Sequence, residues 1–395
     1  MRNSVAANIP KLFILQALRW FMLILPTMVL FFQENGLNLK EVFLLQAIFS
    51  VSIVVLEVPT GYFADVFGRK LSLVIGTAFS FLGLLIYCFA HEFWGFLAAE
   101  ITLGLGAAFV SGSDSALLYD SLLELGRKKE YKRLAGLKFS VSGVSEGVGS
   151  VLGGLLAAVS FRLPFYVETG IMLGALLLSL TLVEPRGKRF QHPEGSLKGI
   201  LSILHFSFRG NPRLKWTLFY SAAIGSSTLT MYWFWQPYFK SIGLPLAWFG
   251  AVFAGLQFWM SFVSHQAHRM EAWVGEKAAL VSFLVLITVG FMAASRIGGF
   301  AGFLVVALFY FVRGFNTPLF SDYVNRLVPS DMRATVLSLE GLLVRLIFSI
   351  FGPLAGRVAD AKGLPSAFVV SGVFFAALGG FCLFGLFRNR NRVRR

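Results

Sequence analysis

Three arginines stand deep inside long apolar runs of the chain. Arg345 lies about twelve residues, or roughly 18 Å of helix, from either end of its run, and Arg313 and Arg19 also interrupt strongly apolar stretches. In a bilayer, a charge at such a depth costs at least about 2.5 to 3.5 kcal/mol and needs a partner, a water-filled cavity or a functional reason. The three arginines are therefore candidates for a substrate cavity that receives an anionic group.

Acidic residues interrupt other apolar runs, and four of them are candidates for proton coupling: Glu57, Glu100, Asp114 and Glu146. Glu146 is the deepest of these. Its helical face carries small residues at positions 142, 149, 150 and 153, a surface suited to close helix packing. A carboxylate buried on such a face suits a proton carrier.

The acids have an alternative role, which is to neutralise the deep arginines. Arg19 and Glu57 stand at similar depths in their runs, and Glu340 precedes Arg345 by about a turn and a half of helix. Buried charges are usually paired, so both ion pairs are plausible structural explanations. The sequence leaves the choice between pairing and proton transfer open.

An aromatic cluster, "MYWFWQPYF", surrounds Pro237. Tyr232, Trp235 and Gln236 from this cluster are substrate-cavity candidates, because aromatic rings stack on flat or cationic groups. The alternative is a belt of Trp and Tyr at the membrane interface, since the cluster falls near the end of its run.

The composition places these residues in a membrane protein. Of 395 residues, 56% are hydrophobic and 14% charged, whereas a soluble domain carries roughly 25% charged residues. Apolar runs long enough to cross a bilayer recur along the chain, and such runs must be helical because lipid satisfies no backbone groups. We predict an all-α fold with twelve transmembrane helices, at 11–32, 41–63, 71–90, 93–118, 136–159, 164–184, 213–239, 245–266, 276–296, 299–320, 333–357 and 366–387. The first run is expected to be a retained span rather than a cleaved signal peptide.

The charge pattern predicts the topology. Most of the 35 Lys and Arg fall on one set of alternating connections, which the positive-inside rule assigns to the cytoplasm together with both termini. The excess of positive charge is therefore topological, and no nucleic-acid partner is expected. The basic tail "RNRNRVRR" fits contact with anionic lipid headgroups.

The spans divide evenly about a long basic segment. Residues 1–184 are predicted to form an N-terminal six-helix bundle, 185–212 a cytoplasmic linker, and 213–395 a C-terminal six-helix bundle with the basic cytoplasmic tail. Two such bundles related by pseudo-two-fold symmetry are typical of transporters, whose substrate path runs between the halves.

The segment "GYFADVFGRK" between the second and third spans resembles the signature of the major facilitator superfamily. The matching residues are Gly61, Asp65, Gly68, Arg69 and Lys70. We expect Gly61 to let two helices approach closely, Gly68 to permit a tight turn, and the two bases to hold the loop inside. Asp65 supplies a charge that pairs with or caps nearby helix ends. The resemblance implies that this loop acts as a conformational switch.

Other motifs of the family match unevenly. The fourth span has Glu100 where the proton-coupling pattern has an arginine, so the role of that arginine does not carry over. The fifth span, "SEGVGSVLGG", is similar to the glycine-rich antiporter motif but has Ser150 where the motif has proline. Antiport therefore receives weak support from the motifs. By analogy with the family, the first, fourth, seventh and tenth spans line the cavity.

These features favour a secondary active transporter that moves a small organic solute by alternating access. The resemblance is to the twelve-span drug:proton antiporters and implies proton-coupled efflux, in a monomer of the plasma membrane. One alternative is proton-coupled uptake, by symport, of an organic anion, and another is a non-transporting receptor or lipid-handling scaffold on the same fold. Neither enzymatic activity, nor a cofactor, nor a metal is expected, because the chain has no phosphate-binding loop, HExxH or CxxC motif.

Overall fold

The computed structural model describes residues 5–186, 204–329 and 332–390. Much of the predicted cytoplasmic linker and most of the basic tail lie outside these residues. Within them the protein is helical, without a strand. The all-α prediction is confirmed. The helices are α1 Asn8–Arg19, α2 Met28–Glu34, α3 Leu39–Phe67, α4 Arg69–Phe89, α5 Phe93–Val110, α6 Ser113–Glu124, α7 Tyr131–Val159, α8 Leu163–Leu180, α9 Pro212–Ser241, α10 Phe249–Val274, α11 Glu276–Ala294, α12 Ala301–Leu327, α13 Arg333–Lys362 and α14 Leu364–Arg390.

Ten stretches of the described helices are long and apolar enough to cross a membrane. They correspond to the predicted spans other than the first and the seventh. The seventh forms a continuous helix, α9, which Asn211 caps by accepting a hydrogen bond from the N–H of Leu214. Ser and Thr residues in "SAAIGSSTLT" make α9 less apolar than the other spans.

The first predicted span is broken. Helix α1 ends at Arg19, a 3-10 turn at Leu25–Thr27 follows, and α2 begins at Met28. A kink is expected at Pro26, which lacks a backbone donor, but the interruption begins several residues before this proline. Contacts with other helices, described below, account for the additional length of the break.

Contacts between Cα atoms divide the chain into two compact units. Unit 1 comprises Met1–Leu37, Ile48–Pro193 and Pro245–Ala254, and unit 2 comprises Asn38–Ala47, Glu194–Leu244 and Gly255–Arg395. Two of these segments differ from the predicted division at residues 185–212. Residues 38–47 were predicted in the N-terminal half but group with unit 2, and residues 245–254 were predicted in the C-terminal half but group with unit 1. The two six-helix bundles remain a prediction.

An aromatic cluster packs the helices of unit 1. Phe31 of α2 lies 4.1 Å from Phe165 of α8 between ring centroids, and Phe32 lies 5.2 Å from Phe96 of α5. Tyr87 of α4 contacts the same rings. Offset and edge-on aromatic pairs add stabilisation beyond the area they bury. This cluster anchors α2 after the break in the first span.

The start of α3 groups with unit 2 because α13 holds it. The carboxylate of Asp360 accepts hydrogen bonds from the N–H groups of Leu39 (2.9 Å) and Lys40 (2.8 Å). A Cβ on Gly356 would lie 2.7 Å from the carbonyl oxygen of Leu39, so α13 has no room for a side chain there. A carboxylate is favoured at this position because the N-terminus of a helix carries unpaired donors and partial positive charge.

Replacing Asp360 with Ala is expected to lower the free energy of unfolding by about 1 kcal/mol, since the two N–H groups at the start of α3 lose their acceptor. Thermal unfolding of the purified protein measures the change. Asp322→Ala is the control, because Asp322 forms an exposed ion pair with Arg326 within α12, a type of contact that contributes little. Equal effects of the two substitutions would contradict the capping role of Asp360.

Candidate functional site: buried charges in each unit

A buried ion pair joins α6 and α7 in unit 1. Nζ of Lys138 lies 2.5 Å from Oδ2 of Asp114, and the Lys138 side chain is 7% exposed. The chain turns at Gly112, whose φ is +73°, and this places Asp114 in the first turn of α6. The N-terminal end of a helix is a favourable place for a carboxylate, and the turn places Asp114 next to Lys138 there.

The first span contributes further polar groups to this pair. With its amide oriented to satisfy its neighbours, Gln16 accepts hydrogen bonds from Ser142 Oγ (2.6 Å) and Trp20 Nε1 (3.0 Å) and donates to Asp114 Oδ2 (3.3 Å). The half-buried Arg19 lies close enough to Asp114 for an electrostatic interaction. We refer to Gln16, Arg19, Asp114, Lys138 and Ser142 as the unit 1 polar cluster. It carries two cations and one carboxylate.

The other predicted acids lie in different surroundings. Glu57 is exposed and accepts a hydrogen bond from Ser111 Oγ at 2.9 Å. Within the described ranges it forms no ion pair with Arg19, so that pairing is absent. Glu100 is 1% exposed and accepts a hydrogen bond from Tyr87 Oη at 2.7 Å, inside the aromatic cluster of unit 1. Glu146 is half-buried in the middle of α7.

Unit 2 has its own deep charges. The Arg313 guanidinium of α12 lies over the ring of Tyr232 of α9, 5.2 Å from the centroid. Both side chains are half-buried, as is that of Arg345 on α13. Glu340 accepts a hydrogen bond from Ser221 Oγ at 2.6 Å, and its pairing with Arg345 remains a prediction. Such a contact between a guanidinium and an aromatic ring is electrostatically favourable.

The aromatic cluster around Pro237 is buried inside the protein. Trp235 is 0% exposed and Gln236 1%, and Trp233 and Tyr238 are also buried. Rings of an interfacial belt face the lipid headgroups, so the belt interpretation is wrong for these three aromatic residues. Of the three substrate-cavity candidates here, only Tyr232 is partly exposed.

The signature loop between α3 and α4 forms a tight turn, as its glycine predicts. Gly68 has a φ of +112°, and a Cβ there would lie 3.0 Å from the carboxyl carbon of Glu184. Glu184 accepts hydrogen bonds from the N–H groups of Arg69 (2.9 Å) and Lys70 (2.7 Å) at the start of α4. The turn thus leaves room for a carboxylate that caps the third span.

The structure agrees with the expectation for Asp65 of the same loop but not with that for Gly61. Asp65 forms an ion pair with Arg69, one turn further along the chain, which agrees with the expected pairing. Gly61 does not mediate a close helix approach, because a Cβ there would meet no described atom within 4 Å. The expectation for Gly61 is therefore wrong in this structure.

Three carboxylate or ammonium groups were missed by sequence reasoning. Lys138 reads as the end of the basic run "RKKEYKRLAGLK", although it stands inside the predicted fifth span. Glu184 is the last residue of the predicted sixth span, next to the linker, and received no role. Glu168 lies within the predicted sixth span, and the rule that singles out mid-span charges applies to it equally. Of the described residues, no three His, Cys, Asp or Glu side chains are grouped so as to hold a metal ion.

The sequence pattern of the Major Facilitator Superfamily matches residues 12–352. The chain is 23% identical over 357 residues to an uncharacterized MFS-type transporter, YxaM, of Bacillus subtilis (strain 168), and the match covers 88% of each chain. It is also 26% identical over 163 residues to the quinolone resistance protein NorA of Staphylococcus aureus, a match that covers 41% of this chain and 40% of NorA.

Solved structures resemble the whole chain. The nucleoside transporter NupG superimposes with a TM-score of 0.77 at 14% identity, covering 97% of this chain and 98% of NupG. A bacterial homolog of the human lysosomal transporter Spinster, in an inward-facing and unoccupied conformation, has a TM-score of 0.74 at 15% identity and 98% coverage of both chains. At these identities the likeness establishes the fold alone.

Proposed function

The chain belongs to the major facilitator superfamily and is therefore a multi-pass membrane transporter of a small-molecule solute, not an enzyme. From this premise we propose that it is a secondary active transporter, which exports a small organic solute in exchange for protons. The proposed site of exchange is the unit 1 polar cluster. The protein acts in the plasma membrane, as a monomer with both termini in the cytoplasm.

The buried Lys138–Asp114 ion pair carries this proposal. Removing the charge from one partner of a buried pair leaves the other uncompensated at high cost. Protonation of Asp114 therefore frees Lys138, and a cationic solute competes with Lys138 for the same carboxylate. Competition of proton and solute for one carboxylate is the basis of antiport. The partial similarity to NorA supports efflux as the direction.

Uptake of an organic anion is the second candidate. The unit 1 polar cluster has one more cation than anions, with Arg19 and Lys138 facing a single carboxylate. In unit 2, Arg313 over Tyr232 offers a guanidinium beside an aromatic ring. Both arrangements favour a ligand with a negative group.

Proteoliposomes with an imposed proton gradient and an internal pH dye test the two candidates. Organic cations and organic anions are added outside in turn, with Asp114→Asn proteoliposomes as the control. Proton efflux triggered by cations and absent from the variant supports antiport. Proton entry with an anion supports symport instead, and an absence of proton movement with every solute would overturn proton coupling.

Replacing Asp65 with Asn is expected to slow transport several-fold while the protein remains folded. The substitution removes the ion pair with Arg69 at the turn between α3 and α4, where a loop charge biases the equilibrium between transport states. Initial transport rates and thermal unfolding are measured together. Asp322→Asn, in the matched exposed pair with Arg326 of α12, controls for loss of a surface ion pair. An unchanged rate in Asp65→Asn would exclude the switching role.

A further inference from the structure

Glu168 of α8 is a buried carboxylate that holds the break in the first span. Glu168 is 6% exposed. A single oxygen, Oε2, accepts hydrogen bonds from the N–H groups of Leu23 (2.7 Å) and Ile24 (3.0 Å). Both donors lie in the stretch between α1 and the 3-10 turn. Glu168 therefore satisfies backbone groups that have no helical partner.

The break is built into the packing of unit 1. Backbone donors inside a membrane need an acceptor, since lipid offers none. Gly153 of α7 lies against the same stretch, and a Cβ there would be 1.9 Å from the carbonyl oxygen of Leu23. The stretch is thus fixed from one side by a glycine surface and from the other by a carboxylate.

No cation compensates the Glu168 carboxylate among the residues that the structure describes, since no Lys, Arg or His nitrogen lies within 4 Å of it. On α4, Tyr87 donates to Glu100 of α5, and Cys88 Sγ contacts Thr169 Oγ1 at 3.3 Å. Arg162, ahead of α8, donates to the carbonyl groups of Tyr87, Cys88 and Ala90.

The described residues of the remaining helices packed against α8 place no cation beside Glu168 either. Lys11 of α1 instead donates to the carbonyl oxygen of Thr181, after the C-terminal end of α8. Arg19 ends α1 four residues before Leu23, and its charged neighbour is Asp114. The part of α7 from Ser150 to Val159 has no titratable side chain. A buried carboxylate without a counter-ion is costly, and it gains most from binding a cation.

A proton fits this carboxylate better than a larger cation does. Oε2 already takes both backbone hydrogen bonds, whereas no hydrogen bond from a described residue reaches Oε1. A proton on Oε1 neutralises the charge and leaves both bonds in place. Hydrogen bonds to an ionised acceptor are roughly twice as strong as those to a neutral one. Protonation therefore also weakens the hydrogen bonds from the N–H groups of Leu23 and Ile24.

We propose that Glu168 is a proton-binding site whose occupancy controls the rigidity of the broken first span. This rests on the proposed function and deepens it, because it places a second protonation site in unit 1, apart from Asp114. The ionised carboxylate holds the stretch at Leu23 and Ile24, and the protonated form lets the stretch rearrange. Proton binding at Glu168 is thereby linked to the position of Arg19, which precedes the break.

Infrared difference spectroscopy tests the site without any transport. Purified protein in lipid is titrated between acidic and alkaline pH, and the carbonyl stretch of protonated carboxyl groups is compared in wild type and Glu168→Gln. The expected result is loss of one titrating band in the variant. An identical set of titrating bands in both proteins would overturn the proposal, whether or not the protein exchanges protons for solute.

A pair of variants separates proton binding from a structural role. Glu168→Gln retains a carbonyl oxygen for Leu23 and Ile24 but cannot titrate, whereas Glu168→Ala loses both properties. We expect Glu168→Gln to lose the pH dependence of transport and to keep both backbone hydrogen bonds in weakened form. It should therefore unfold at a higher temperature than Glu168→Ala, which loses both bonds. If Glu168→Gln retains the wild-type pH dependence, the carboxylate serves only as a hydrogen-bond acceptor for Leu23 and Ile24, and the proposal fails.

Discussion

Asp114→Asn is expected to abolish proton-coupled transport and to destabilise the protein. The substitution leaves Lys138, which is 7% exposed on its side chain, without its carboxylate partner. Breaking a buried ion pair by removing one partner costs about 3 kcal/mol or more, because the remaining charge is buried and unpaired. Proton flux in proteoliposomes and thermal unfolding in detergent measure the two effects.

The double variant Asp114→Asn with Lys138→Gln separates stability from coupling. It removes both charges, so most of the lost stability is expected to return. Proton coupling is not expected to return, since no carboxylate remains at this position. A double variant as unstable as the single one would show that the ion pair is not the source of the effect.

Glu146→Gln is the matched comparison for Asp114, because Glu146 is a half-buried intramembrane acid of α7, the helix that also carries Lys138. If Asp114 is the carrier, Glu146→Gln retains a pH-dependent transport rate. If instead Asp114→Asn retains that dependence and Glu146→Gln loses it, the carrier is Glu146, as its depth in the sequence suggested.

Features that depend on local chemistry could be read from the sequence. Apolar runs imply helices in lipid because every backbone group must be satisfied within the segment. The turn at Gly68 follows from a glycine between two apolar runs, and the structure has the positive φ there. The small-residue face around Glu146 predicted close packing, and Gly149 and Gly153 do lie against the backbone of the first span.

Features that depend on distant partners could not be read in the same way. The stretch after Arg19 is apolar, and its only helix-breaking residue is Pro26. What opens the helix earlier is a carboxylate 145 residues further along the chain, Glu168, which accepts the N–H of Leu23. The grouping of residues 38–47 with unit 2 likewise depends on Asp360, far away in the sequence.

Lys138 shows a third limit. A lysine near the end of a predicted span is usually assigned to the interface, since its long side chain reaches the headgroups. Here the side chain instead turns inward to Asp114. The sequence offers no means of telling the two orientations apart, because both place the same residue at the same depth.

Gly153→Ala is expected to leave almost no folded protein. A Cβ at this position would lie 1.9 Å from the carbonyl oxygen of Leu23 and 2.7 Å from its carbonyl carbon. These are backbone atoms, and the N–H of the same residue is held by Glu168, so the stretch cannot easily move aside. We therefore expect the free energy of unfolding to fall by more than the value of about 1–3 kcal/mol that is typical of overpacking.

Gly143→Ala is the control on the same helix, since a Cβ at Gly143 would meet no described atom within 4 Å. Alanine is the better helix former by about 1 kcal/mol, so this variant is expected to be at least as stable as wild type. Yield of monodisperse protein after detergent extraction, followed by thermal unfolding, compares the two. Equal yield and stability of the two variants would contradict close packing of α7 at Gly153 against the broken stretch of the first span. The hydrogen bonds from Glu168 would then be the remaining contact that fixes this stretch.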